Sequence, residues 1–422
     1  MTDPRRQLRI YVRTALAPSD EVSAPDAMAP RRTASRRAVR ALALAAAIIF
    51  IAAASWLVFA NHSERDRVHV SSPADAWPPR WTLTNGPSVP GAGTPIAGSP
   101  RGVVIAFDNI WFSADGTAWT RAVVSGTTSR NARQPLQGSV RDIVAFGSGF
   151  VAGGLAVDPL GGPLAAAVWT SPDGVHWKRV LDPVLRESTS LGAAEGSRPT
   201  TSQIDEMAVS NSRIIAVGST SANDIVIWTS DDGTSWQRVG GSGAFGPAGP
   251  DAVRDVIAYR NGFLAFVDDA NSTVVYRSSG GTQWKRVAKI RGRIASAAAD
   301  GRTLFAVGEG RIVTSSDGRT WRRSYTAKRS RLPQFTAVAA NHSRIVAVGY
   351  LARQQPASEP LIVTSRDGST WSTASVNSSP FSGSHTGLYA ITTFAHRFLI
   401  VGARVLPNDA IAHPALFVSS RV

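Results

Sequence analysis

One phrase recurs along the chain and limits what it can fold into. Its fullest copy is Trp169-Thr-Ser171-Pro-Asp173-Gly174-Val-His-Trp177, in which an apolar run enters, a Ser-x-Asp-Gly turn reverses it and a Trp opens the run that leaves. The phrase returns as Ser113-Ala-Asp115-Gly116-Thr-Ala-Trp119, Ser230-Asp-Asp232-Gly233-Thr-Ser-Trp236, Ser315-Ser-Asp317-Gly318-Arg-Thr-Trp321 and Ser365-Arg-Asp367-Gly368-Ser-Thr-Trp371. A worn copy, Ser278-Ser-Gly280-Gly281-Thr-Gln-Trp284, has Gly in place of Asp. A phrase repeated at such intervals implies an array of similar small sheets. Within the turn, Asp accepts N–H bonds from its own backbone, Gly permits a positive φ and Ser closes the loop from the other side. The Trp is expected to carry its ring between neighbouring sheets, a burial worth roughly 4–6 kcal/mol gross.

Between these phrases the chain reads as short strands. A typical unit has a small-apolar strand a (Asp142-Ile-Val-Ala145), a polar turn and a strand b (Ile214-Ile-Ala-Val-Gly218). A strand c then leads into the phrase, and strand d starts at the Trp. Four strands per repeat are the signature of propeller blades, and the count is seven. The last unit stops after Ala415-Leu-Phe-Val418-Ser-Ser420, where a phrase and a strand d are due. Trp81-Thr-Leu-Thr84 matches Trp177-Lys-Arg-Val180, so the first strand is expected to complete the last blade and close the ring. The expected fold is therefore all-β, a seven-bladed propeller of four-stranded antiparallel blades over residues 77–422, preceded by one transmembrane helix.

The repeated phrase resembles the Asp-box, or BNR repeat, found in sialidases, sortilin-type receptors, some xyloglucan hydrolases and the photosystem II assembly propellers. Every copy here has one residue fewer between Asp and Trp than the usual family pattern. In that family the box lies on the outer rim, away from the ligand face. The resemblance thus implies scaffold roles for Asp115, Asp173, Asp232, Asp317 and Asp367, and for Trp81, Trp119, Trp177, Trp236, Trp284, Trp321 and Trp371.

Residues 1–40 are basic and polar, with nine Arg against Asp3, Asp20, Glu21 and Asp26. They read as a cytoplasmic tail, solvated or serving as a docking peptide for a regulator. Ala41 to Ala60 carries no charge and is long enough to cross a bilayer. Arg36, Arg37 and Arg40 precede it, which puts the N-terminus inside and all beyond Ala60 outside. The rival is a cleaved signal peptide ending at Val58-Phe-Ala60, for which both the leader and its apolar core are long. Residues 61–76 form a short juxtamembrane linker.

The formal net charge is +15, and the absence of Cys excludes disulfides and thiolate chemistry. That charge permits anionic partners of several kinds; the expected ones are the membrane through Ala41–Ala60 and a protein or glycan, not nucleic acid. Basic side chains stud strand d: Arg121, Lys178, Arg179, Arg238, Lys285, Arg286, Arg322 and Arg323. They guard a sheet edge or form a belt facing anionic lipid or acidic wall polymer.

The long connections join d to a and b to c and are expected to gather on one face. The ligand-face candidates there are Asp158, Arg186, Glu187, Arg198, Asp251, Arg254, Arg353, Glu359, Arg404 and Asp409. No hydrolase elbow, zinc helix, P-loop or EF-hand loop is present, so no catalytic residue, cofactor or metal is assigned. The reading is a binding scaffold for a protein, peptide or glycan. The alternatives are an exo-glycosidase of the sialidase type, and an assembly factor or transmembrane sensor. The sialidase alternative lacks the early Arg-Ile-Pro motif, and the sialidase propellers have six blades.

Overall fold

The computed structural model describes residues 77–422 except 90–92, 108, 127–135, 159–163, 187–200, 242, 327–331, 343, 353–357, 375–379, 382–384 and 406–411. The tail, the expected membrane span at 41–60 and the linker lie outside the described residues. Among the described residues no helix is long and apolar enough to cross a membrane.

Seven sheets, each with four antiparallel strands a to d hydrogen-bonded in that order and one with a fifth strand added, make up a seven-bladed β-propeller. Blade one comprises Ile96–Ser99, Gly102–Ala106, Ile110–Ser113 and Thr120–Arg121. Blade two comprises Gly138–Phe146, Gly149–Val157, Leu164–Ser171 and His176–Arg179, and blade three Ser202–Ser210, Arg213–Thr220, Ile225–Ser230 and Gln237–Gly241. Blade four is Val253–Tyr259, Gly262–Asp269, Ser272–Ser278 and Lys285–Arg291, and blade five Ile294–Asp300, Thr303–Gly308, Arg311–Ser315 and Arg322–Thr326. Blade six is Leu332–Asn341, Arg344–Ala352, Ser358–Ser365 and Ser372–Thr373. Blade seven takes His385–Phe394, Arg397–Val405 and Ala412–Ser419 from the end of the chain and Trp81–Thr84 from its beginning. That last strand pairs antiparallel with its neighbour in the register Trp81 to Ser419, Thr82 to Val418 and Leu83 to Phe417.

The core consists of apolar layers between adjacent blades. Ile143, Phe150, Trp169 and Trp177 of blade two meet Val104 and Ile110 of blade one in one such layer. Ile204, Met207, Trp228 and Trp236 of blade three meet Val144 and Val151 of blade two in the next. The Trp that opens strand d always joins the layer toward the preceding blade. Trp177 and Trp236 are fully buried there, whereas Trp81, Trp119, Trp284, Trp321 and Trp371 are half-buried, so the full burial energy applies to two rings. Four of these indoles also donate Nε1–H to the carbonyl of their own turn's Gly, as Trp177 does to Gly174 at 2.8 Å and Trp284 to Gly281 at 3.0 Å.

The five intact Ser-x-Asp-Gly turns share one hydrogen-bond pattern. In Ser171–Gly174 the Gly174 N–H donates to Ser171 Oγ at 2.8 Å, while Val175 and His176 donate N–H bonds to Asp173 Oδ1 at 2.9 and 2.8 Å. Asp367 repeats this with Ser369 and Thr370 at 2.8 and 2.7 Å. Two backbone donors on one oxygen favour the ionised carboxyl. The Thr320 and Arg319 N–H groups accordingly hold Asp317 down to about 2. Asp232 and Asp367 lie lower still, led by the Ser235 and Thr370 N–H groups, and Asp115 likewise, led by the Thr117 hydroxyl. For Asp173 burial pushes upward, but the His176 and Val175 bonds outweigh it and the carboxyl also ends well below the usual range. In the worn copy Gly281 N–H still donates to Ser278 Oγ at 2.9 Å, and Gly280 supplies no carboxylate.

Two features depart from the sequence reading. Val123–Ser125, from the connection between blades one and two, adds a fifth strand parallel to His176–Arg179. This strand covers the outer edge of blade two, and Arg179 is buried with its guanidinium 4.7 Å from the centre of the Trp169 ring. Burial pushes Arg179 down to about 10, against the pull of nearby Asp158. Arg179 therefore does not belong to an exposed basic belt, whereas Arg121, Lys178, Lys285, Arg286, Arg322 and Arg323 are exposed.

Candidate ligand-binding face

The two ends of the blades are built differently. At one end every a–b turn has two residues, from 100–101 in blade one to 395–396 in blade seven, and the c–d turns carry the Ser-x-Asp-Gly phrase. Left-handed residues such as Gly147, Asn211, Arg260 and Gly301 allow these tight reversals. At the other end the connections range from two residues, at 270–271, 292–293 and 309–310, to the long segment 180–201. One end is thus a constant rim and the other a variable face, where loops on a rigid scaffold usually carry recognition.

The structure places the predicted face residues on several blades. Asp158 and Arg186 come together, with Arg186 Nη1 3.8 Å from Asp158 Oδ2 and both side chains largely sheltered. Arg254, in strand a of blade four, pairs with Asp268 Oδ2 at 2.6 Å, and Arg293 approaches the same oxygen at 4.0 Å. Glu359 and Arg404 sit within strands Ser358–Ser365 and Arg397–Val405 rather than in loops, because pairing of strands b and c runs further toward this face than the sequence reading allowed. Asp251 is the middle residue of a short 3-10 turn, Pro250–Ala252. Glu187, Arg198, Arg353 and Asp409 lie outside the described residues.

A cleft on this face lies where the connections are shortest. Asn271, Arg291, Gly292, Arg293, Glu309 and Arg311 line a volume of about 440 Å³ between blades four and five. Main-chain oxygens fix two of its cations. Arg311 donates from Nη1 to Arg291 O at 2.6 Å and from Nε to Glu309 O at 3.2 Å, and Arg293 donates from Nε to Ala270 O at 3.2 Å. Gly292 has φ of +87°, and a Cβ there would stand 2.7 Å from Arg311 Cζ. Glycine at 292 thus makes both the turn and the space for the guanidinium. A second cleft, of about 390 Å³, opens on the constant rim beside Gly280, where Arg213 forms a two-pronged pair with Asp231 at 2.7 and 2.9 Å. Among the described residues no group of acidic and His side chains could hold a metal ion.

Sequence reasoning missed both the cleft arginines and a set of buried acids on strand a. Asp142 and Asp255 are fully buried and reach the next blade: Asp142 Oδ2 accepts the Met207 N–H at 2.6 Å, and Asp255 Oδ2 accepts the Ala297 N–H at 2.8 Å. Glu206 occupies the same position in blade three and is fully buried too. Each follows a bulge in strand a. The available signal was an acid directly preceding the apolar triplet of strand a in three successive units.

The fold defines the class: a closed seven-bladed β-propeller. A family model described as the DUF6242 beta propeller domain matches residues 243–405. The chain is similar to that family from the end of blade three into blade seven, which is less than half its length. No curated protein matches the chain. Among solved structures, one chain of a mitotic checkpoint complex is similar at 11% identity, with 84% of this chain and 98% of that one covered and a TM-score of 0.46. The Trypanosoma rangeli sialidase, solved with the inhibitor DANA, is 13% identical over 71% of this chain and 57% of its own, with a TM-score of 0.41. The SapL1 lectin, solved with alpha methyl fucoside, is 13% identical over 68% of this chain and 96% of its own, with a TM-score of 0.40. Likenesses at these scores carry no argument about ligand or activity.

Proposed function

We propose that this protein is a membrane-anchored scaffold of the Asp-box type. Its propeller lies outside the cytoplasm and binds a protein, peptide or glycan through the variable face. The observation that supports this most is the asymmetry between the two ends of the ring, with two-residue turns at one and connections of every length at the other. A ring held by apolar layers on every side keeps those connections at fixed positions, so several weak contacts add without a large ordering penalty. The apolar, uncharged stretch Ala41–Ala60 behind Arg36, Arg37 and Arg40 supports the anchor and its orientation. A glycosidase of the sialidase type has less support: hydrolysis of that kind uses a pair of carboxyl groups, and among the described residues Glu309 is the one carboxylate lining the variable-face cleft.

The test uses the full-length chain in native membrane. Cross-linked partners are compared between the natural chain, a variant with 187–200 replaced by a short Gly/Ser segment, and a variant altered at Arg319 on the constant rim. Loss of a partner in the first variant alone is expected. Partners that survive shortening of each long connection in turn but vanish with the rim change would overturn the assignment of the face.

A further inference from the structure

We infer that the cleft between blades four and five, together with the outer strand leading to it, binds a linear carboxylated polysaccharide. The inference rests on the reading of the variable face as a binding surface and names the ligand class for one part of it. Arg291, Arg293, Arg311 and Glu309 line the cleft, a formal balance of three positive residues to one negative, and the Arg293 and Arg311 guanidinium groups are anchored there by main-chain oxygens. Guanidinium forks match the two oxygens of a carboxylate. Arg311 is held ready by two main-chain oxygens and by the space above Gly292, so little ordering is needed when a ligand arrives.

Strand d of blade four extends the cation row beyond the cleft. Arg286, Lys289 and Arg291 lie opposite Tyr276, Val274 and Ser272 and so share one face of the strand; all three are exposed, as is Lys285 on the other face, and Lys289 pairs with Asp269 at 2.7 Å. The row of cations on the shared face covers about 15 Å at the usual rise of a strand. A single anionic residue would use only its end, whereas a chain with one charge per sugar unit would meet it along its length. Asn271 in the cleft offers an amide to hydroxyl groups. Among the described residues no aromatic ring lines the cleft, so a nucleobase would find no stacking partner in that lining.

The experiment measures binding of polygalacturonate to the purified full-length chain by calorimetry at two salt concentrations, with a neutral glucan and inorganic polyphosphate alongside. Binding of the polyuronate that weakens with salt is expected. The double variant Arg291→Gln/Arg311→Gln should weaken it by about tenfold or more, the scale of losing charge-assisted hydrogen bonds. Gly292→Ala, which displaces the Arg311 guanidinium without removing charge, should weaken it as well. The variant Arg319→Gln/Arg366→Gln, with the same change in net charge on the constant rim, should leave it within about twofold, as expected of remote surface charges. Absence of polyuronate binding, equal loss in the remote variant, or tighter binding of polyphosphate overturns the inference. Partner capture through the long connections would still stand in each of those cases, so the two readings fail separately.

Discussion

At the scale of the residue, the turn carboxylates have a measurable consequence in acid. Each has a folded-state pKa below its usual value, so its contribution is complete above about pH 4 and is lost as pH falls through the folded value, near 2 for Asp317. Stability should therefore fall between pH 4 and 2, and the slope of melting temperature against pH should be shallower for Asp317→Asn; an unchanged slope would remove that carboxyl from the account. The worn turn offers the opposite test. Thr282 and Gln283 stand where the intact turns place N–H donors to Asp, and a Cβ on Gly280 meets nothing nearer than Arg213 Nη1 at 3.6 Å. Gly280→Asp should stabilise the protein by about 1–2 kcal/mol in chemical denaturation, through restored hydrogen bonds and a less flexible unfolded chain. The turn chemistry was legible because Ser, Asp and Gly each do their work within four residues of sequence. The cleft arginines were not legible, because Arg291, Arg293 and Arg311 meet only when two blades are set side by side.

At the scale of the element, strand a does more than line the middle of the ring. The bulge before Asp142 turns its carboxyl toward blade three, and the Met207 N–H it accepts would otherwise be buried without a partner. Asp142→Ala should cost about 2–4 kcal/mol, the scale for stranding a buried donor and breaking a charge-assisted bond, and hydrogen exchange at Met207 should rise with it. Unaltered protection at Met207 would show that the bond does not hold the two blades. Strand existence and order could be read from alternating apolar runs and turn residues, but strand ends could not. Glu359 and Arg404 look like loop residues because charge interrupts the apolar pattern, although ladder hydrogen bonds continue past them. The added strand Val123–Ser125 was equally hidden, since Val-Val-Ser carries no period of its own and gains its place from the edge of His176–Arg179.

At the scale of the whole molecule, seven blades and the exchange of strands in the last one were legible because the missing strand at one end has its match at the other. Removing residues 77–84 should lower the melting temperature and leave Ala412–Ser419 with a free edge, so light scattering should show concentration-dependent association. A truncated chain that stays monomeric with an unchanged melting curve would deny the ladder its role in closing the ring. The ladder also orders events during synthesis. Trp81–Thr84 leaves the ribosome before any other strand of the propeller, yet its partner residues 416–419 are made only after the strands of the other six blades. Its hydrogen-bonding groups must stay solvated, or be shielded by another protein, until residues 416–419 have been made. Premature termination anywhere before residue 412 would therefore harm the oldest part of the nascent domain as well as the newest.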